Sequence, residues 1–179
     1  ENFYLINTNK GKTTGGAIFG QATYSINDKL DLIAGIRFDV EKKDYNVMGE
    51  YQKTPDPAFV IRPDTSATVD YNAISPKLGI AYKISSGSKL HVLYSRGYRT
   101  GGLTQLSSDP SQPPLYPYQP EYSNNIEAGI KNTFYENKLR VNATAFLTLV
   151  NDAQLPSLVL PDAITVIRNA GELSSKGIE

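Results

Sequence analysis

The sequence predicts an all-β chain: an antiparallel meander of about seven long strands that forms a segment of a transmembrane β-barrel. Three observations lead there. Apolar residues recur with a period of two over stretches as long as Leu30 to Val40; tight polar turns alternate strictly with long loops; and no stretch approaches the roughly 18–20 consecutive apolar residues that a membrane helix requires.

The strands follow in order. Leu30, Leu32, Ala34, Ile36, Phe38 and Val40 alternate with Asp31, Gly35, Arg37 and Asp39, with Ile33 the one exception. The pattern returns at Ile74 to Lys83, where Ile74, Pro76, Leu78, Ile80 and Tyr82 oppose Ser75, Lys77, Gly79, Ala81 and Lys83. Leu139 to Val150 repeats it, with Leu139, Val141, Ala143, Ala145, Leu147 and Leu149 on one face. Weaker versions cover Ala17 to Ile26, Leu90 to Arg99, Asn124 to Lys131 and Ile164 to Glu179. Tyrosine (12), phenylalanine (6) and glycine (14) are abundant, and long Ala/Leu/Glu/Lys stretches are scarce, as expected of strands.

Connections sort by length. "SINDKL", "SSGSK" and "YENK" are hairpin turns, whereas Met48 to Asp70, Gly101 to Ser123 and Asn151 to Asp162 are long and rich in Pro, Tyr, Ser and Asp. Alternation alone fits a soluble β-sandwich equally well. The sorting of loops is the barrel's signature, because one rim carries tight turns and the other extended loops. The apolar face then meets lipid and the polar face lines the interior. Tyr24, Tyr45, Tyr82, Tyr94, Tyr98, Phe134 and Tyr135, near strand ends, suit interfacial girdles, although Trp is absent.

Composition removes several classes. Eighteen basic residues balance eighteen acidic ones, so no overall field draws the chain to nucleic acid. Cysteine is absent and His91 is the single histidine, which argues against disulfides, thiol catalysis and zinc sites. No G-x-S-x-G element supports a nucleophilic triad, and "GGAIFG" (Gly15 to Gly20) lacks phosphate-loop spacing. The expectation is a non-enzyme with no catalytic residue, no metal ligand set and no cofactor. The N-terminal stretch has no signal-peptide layout. Arg37, Lys77, Arg99 and Arg140 fall on the polar face with Asp39, Glu127 and Glu179, and His91 belongs to the same wall.

"GAIFGQATYSINDKLDLIAGIRFD", "SPKLGIAYK", "YSRGYRTGGL", "YQPEYSNNIEAGIKN", "LRVNATAFLT" and "NAGELSSKGIE" resemble consecutive barrel segments of TonB-dependent outer-membrane receptors, most closely the ferric-siderophore branch, in that family's order. The resemblance implies an outer-membrane location and a barrel of about twenty-two strands in contact with outer-membrane lipid. It also implies a ferric siderophore or other metal chelate as ligand, and uptake driven by the TonB complex. Residues 1–179 match part of that barrel, without its plug domain or closure, so contact with TonB is expected through an N-terminal region of the parent outside this stretch. In the whole receptor the polar-face charges are expected to pair with the plug or the barrel wall.

For such a ligand the long loops hold the apt residues. Tyr116, Tyr118 and Tyr122 stand among chain-stiffening prolines; Arg96 and Arg99 precede them, and Arg62 lies in the preceding long loop. Arginine and tyrosine suit a chelate that is anionic or flat and partly aromatic, and a siderophore that saturates its iron needs no protein ligand. Two other readings stay open: a passive porin-like barrel, and a soluble β-sandwich binding module.

Overall fold

The computed structural model describes residues 3–105, 113–136, 138–160 and 164–179. Its strands are β1 (Phe3–Ser25), β2 (Leu30–Lys53), β3 (Phe59–Ser85), β4 (Ser88–Arg99), β5 (Gly102–Thr104), β6 (Tyr116–Tyr118), β7 (Glu121–Phe134), β8 (Leu139–Asn151), β9 (Gln154–Val159), β10 (Ile164–Asn169) and β11 (Glu172–Ile178). Seven of them form one antiparallel sheet in the order β1-β2-β3-β4-β7-β8-β11, and β5–β6 and β9–β10 are two small hairpins. The sheet is open, as an arc of a barrel wall is.

The register shows why this sequence makes this wall. One row across the sheet reads Tyr24, Leu32, Ile80, Val92, Ala128, Ala145 and Ile178; the next row on that face reads Ala22, Ala34, Leu78, Tyr94, Ile126 and Leu147 before ending at Lys176. The row between them, on the opposite face, reads Thr23, Ile33, Gly79, Leu93, Glu127, Phe146 and Gly177, and the following one Gln21, Gly35, Lys77, Ser95, Asn125, Thr148 and Ser175. Side chains alternate faces along every strand, so a consistent register stacks seven alternating sequences into apolar and polar surfaces.

The apolar face has nothing on it. Leu32 (39%), Leu78 (57%) and Val141 (49%) are exposed, and no second layer covers them among the described residues. A β-sandwich would have buried these side chains, so that alternative is discarded. A lipid-facing wall accounts for them, since hydrocarbon replaces a second sheet. Tyr24, Tyr82 and Phe134 point to this face beside the short turns, as a girdle requires, with Tyr135 exposed in the turn itself.

The polar face is relieved by glycine. A Cβ on Gly79 would stand 2.7 Å from Leu93, one on Gly129 2.6 Å from His91, and one on Gly177 2.9 Å from the Phe146 ring. Larger neighbours therefore lie flat across glycines on the concave side, and His91 is a wall residue of this kind. Charges here pair within the wall: Arg37 with Asp39 at 2.7 Å, Lys89 with Asp31 at 2.9 Å, and Lys43 with Glu41 at 3.3 Å. Partly solvated pairs of this sort contribute about 0–1 kcal/mol each and serve orientation more than stability.

Short turns are locally encoded. The Asn27 side-chain oxygen accepts from the Lys29 and Leu30 amides, closing the β1–β2 turn. Left-handed backbone at Tyr135 and Glu136 (φ 50° and 54°) reverses β7 into β8. At the other rim the strands run far beyond a membrane: β2 has 24 residues, where about 9–11 suffice to cross. The stretch Met48 to Asp70, expected as a loop, is thus the end of a long β2–β3 hairpin whose turn lies between Lys53 and Phe59. Likewise β1 begins at Phe3, and Ile164 to Glu179, expected as one strand, breaks at Gly171 (φ 37°) into β10 and β11.

Pro76 marks the sheet's one internal division. Pairing of β3 with β4 stops at Lys77–Ser95, while β3 continues paired to β2 up to Phe59 and β4 to β7 up to Arg99. Proline brings no N–H, so a ladder that ends beside it loses nothing. Above this point two flaps separate, and the space between them receives the loop hairpins.

In the full-length protein, Leu78→Arg should cost about 2–4 kcal/mol of folding stability in a bilayer, whereas Ser95→Arg on the polar face should cost less than about 1 kcal/mol. Reversible unfolding in lipid vesicles measures both, and equal costs would invert the assignment of faces.

Candidate ligand-binding site

The site forms where loops fold over the concave end of the wall. After β4 the chain turns at Gly101–Gly102 into β5, which pairs with β6 through Gly102–Tyr118, Leu103–Pro117 and Thr104–Tyr116. Both glycines are required by close approach: a Cβ on Gly101 would lie 2.4 Å from the Tyr118 carbonyl oxygen and 2.6 Å from the Tyr71 ring, and one on Gly102 2.4 Å from the Tyr118 hydroxyl. The Tyr71 hydroxyl, reaching from β3, donates toward the Tyr118 carbonyl (3.0 Å) and the Gly102 carbonyl (3.4 Å), pinning this hairpin across the gap above Pro76.

The second hairpin is an extension of β8–β11 that bends where Asp152 (φ 54°) and Gly171 take left-handed backbone. An amide clamp fastens it to the first. Asn169 accepts from the Gln119 amide (2.8 Å) and donates to the Gln119 carbonyl (2.9 Å), imitating a strand partner. Gln154, 6% exposed, donates its side-chain amide to the carbonyls of Thr100 (2.9 Å) and Gln119 (3.1 Å), and its backbone amide to the Glu121 carboxylate (2.7 Å). Ala153 and Val166 are buried beneath this junction.

Between the clamped hairpins and the upper part of β2 lies a cleft of about 540 Å³ lined by Tyr45, Leu103, Thr104, Gln105, Tyr118 and residues Ile164 to Ile167. Tyr45 stands on the concave face, lying over Gly11, so it belongs to this cleft and not to a lipid-facing girdle. Burial raises the Tyr118 phenol above its ordinary value; nearby Tyr45 adds to this, Arg99 opposes it and Glu41 adds again. The phenol is consequently a neutral donor at physiological pH.

Of the six residues expected from the sequence, Tyr118 lines this cleft and Tyr116 shares its short strand, whereas Arg96 and Tyr122 stand on the strand face that carries Tyr94 and Ile126. The Arg96 guanidinium sits 4.2 Å above the Tyr122 ring, and Tyr122 packs on Tyr98 with ring centres 5.6 Å apart. Arg99 pairs with Glu121 in the β4–β7 ladder, and Tyr116 shares the short strand β6 with Tyr118, 41% exposed. Arg62 is elsewhere, on β3 opposite Gly49 near the end of the long hairpin. Tyr45, Tyr71, Gln154 and Asn169 were not anticipated. Tyr45 and Tyr71 lie on concave-face positions of strands, and a consistent parity count would have found them; the amides carry no local signal.

An open antiparallel wall, apolar outside, polar inside and roofed by loop hairpins, defines a segment of an outer-membrane-type barrel. The family description "TonB dependent receptor-like, beta-barrel" matches residues 2–179, and the chain belongs to that family. Solved structures agree in fold. The ferric yersiniabactin uptake receptor FyuA from Yersinia pestis superposes with a TM-score of 0.77 at 19% identity, over 98% of this chain and 24% of that one. The ferric-catecholate import receptor Fiu from E. coli K12 gives 0.72 at 19% identity, over 95% and 25%, and the alcaligin outer-membrane receptor FauA from Bordetella pertussis 0.54 at 19%, over 96% and 27%. The chain thus spans about a quarter of the length of these receptors.

Asn169→Ala in the full-length receptor should leave the Gln119 amide without its partner and its carbonyl with the Gln154 amide alone. Amide hydrogen exchange should then accelerate about tenfold across β9–β10, with β8 unchanged, as expected for a lost interaction of about 1.4 kcal/mol.

Proposed function

We propose that this chain is the part of an outer-membrane TonB-dependent receptor that binds and imports a ferric siderophore or similar metal chelate. One observation supports the reading: the loop hairpins are clamped over the concave side by side-chain hydrogen bonds and bring Tyr118 opposite Tyr45 across a cleft of ligand size. A passive porin-like channel needs polar walls but has no use for such a fastened roof. Names of related receptors, which refer to ferric yersiniabactin uptake and ferric-catecholate import, support the same ligand class.

In this proposal Tyr118, Tyr116, Tyr122, Arg96 and Arg99 contact the chelate or shape its entry, and Arg62, farther out on the hairpin, meets it early. The apolar face contacts outer-membrane lipid, the free edges of β1 and β11 pair with the remainder of the barrel, and import draws on the TonB complex through another part of the whole receptor. The iron arrives fully coordinated, so the protein supplies shape, hydroxyls and cations in place of metal ligands.

Uptake of radioiron chelates by cells whose only such receptor is the full-length protein tests this. Uptake should saturate and should cease when the inner-membrane energy supply is removed; non-saturating entry that continues without it would instead establish the porin-like reading. Replacing both Tyr116 and Tyr118 with Ala should lower uptake about tenfold or more at unchanged surface abundance, a loss in keeping with two aromatic anchors.

A further inference from the structure

Resting on that reading only for the closed wall it implies, we propose that the short-turn end of the concave face is a docking surface for an acidic, extended stretch of the whole receptor's own polypeptide lying outside residues 1–179. Lys83, Lys89 and Lys131 stand directly opposite one another on β3, β4 and β7, on the face that carries Lys77 and Glu127, and all three are exposed. The neighbouring row on the outer face reads Tyr82, Leu90 and Ile130. Like charges directly opposite on adjacent strands destabilise a sheet, so three in succession mark a place where negative charge is supplied. Asp31 supplies part of it, accepting from Lys89 Nζ at 2.9 Å and attracting Lys83 as well. Among the described residues, the strands of this face carry Lys83, Lys89, Lys131, Arg140 and Lys77 from the short turns upward, against Asp31, Glu127 and the strand-end Glu179. The cations are in excess.

The shape of the row chooses its occupant. Strands about 4.8 Å apart spread the three lysine stems over about 10 Å, farther than one carboxylate or phosphate group bridges. An extended chain repeats its side chains on one side about every 6.6 Å, so acidic residues two apart reach neighbouring lysines, whose flexible stems take up the difference. A depression of about 280 Å³ beside the row, lined by Lys89, Lys131, His91 and Leu93 among others, gives such a chain a seat. This chain spans about a quarter of the length of related receptors, so a whole receptor has polypeptide to place there. A chelate held by the loops fits this row less well, because the candidate cleft lies at the other end of the wall, beyond the break at Lys77–Ser95.

Carbodiimide treatment of the purified full-length receptor, which joins an amine to a carboxylate only where the two touch, decides it when the linked peptides are mapped by mass. Lys83 and Lys131 should link to Asp or Glu outside residues 1–179. A water-soluble acetylating reagent should also modify them at least about tenfold more slowly than Lys10 and Lys12, which are exposed on β1 toward the far end of the wall. Lys89→Glu with Lys131→Glu should abolish the link at Lys83 and bring its acetylation to the rate of Lys10, whereas Lys89→Arg with Lys131→Arg should preserve both, because the positive row is kept. Links confined to carboxylates within residues 1–179, the absence of any link, or protection of Lys83 that survives the Glu pair in a normally assembled variant would overturn the docking. Protection that appears only with added inorganic phosphate would assign the row to a small anion and overturn it equally. Each of these results leaves chelate import standing, whereas failure of saturable, energy-dependent uptake removes that reading without touching the links.

Discussion

The structure depends on one constraint: along the crossing part of the wall, every backbone N–H and C=O must find its partner on a neighbouring strand, because hydrocarbon offers none. That demand holds seven strands in unbroken register at the Tyr24–Ile178 row. The register in turn makes the period-two sequence meaningful, since a slip of β3 by one residue would turn Leu78 inward and Lys77 into lipid. Faces, turns and glycines are consequences of this ladder.

Where the constraint lapses, the architecture changes character. Above the Lys77–Ser95 pair the ladder between β3 and β4 is no longer kept, and Pro76 occupies the first position at which it can be dropped. The flaps that result are held by side chains instead: Tyr71 on the Tyr118 carbonyl, Asn169 and Gln154 on Gln119. Bonds of this kind contribute about 0.5–1.5 kcal/mol apiece, so the roof is fastened without being fused.

Much of the wall was legible in the sequence because its code is local and redundant. Leu30 to Val40, Ile74 to Lys83 and Leu139 to Val150 each state the same alternation, and Asn27 or Gly87 states a turn within a few residues. The long upper strands were not legible in that way. Past Val40 both faces of β2 leave the membrane, so hydropathy stops alternating although Val47, Tyr51, Thr65 and Val69 retain strand chemistry. Loop hairpins fared worst: β9 and β10 look like one more loop and one more strand until Asp152 and Gly171 bend them, and a left-handed aspartate is not announced by composition.

The candidate site shows the same division between local and assembled information. Tyr116, Tyr118 and Tyr122 draw attention because prolines surround them, and Arg96 and Arg99 because they precede the loop. The residues that meet Tyr118, Tyr45 across the cleft and Tyr71 at its carbonyl, come from strands whose alternation assigns a face but not a height. Height follows from how far each hairpin projects, and projection follows from ladders that continue after the lipid has ended. The same backbone pairing that the membrane requires therefore also carries Tyr45 of β2 and Tyr71 of β3 up to the loops, and it places the candidate cleft beyond the alternating stretches without any residue of those stretches being devoted to it.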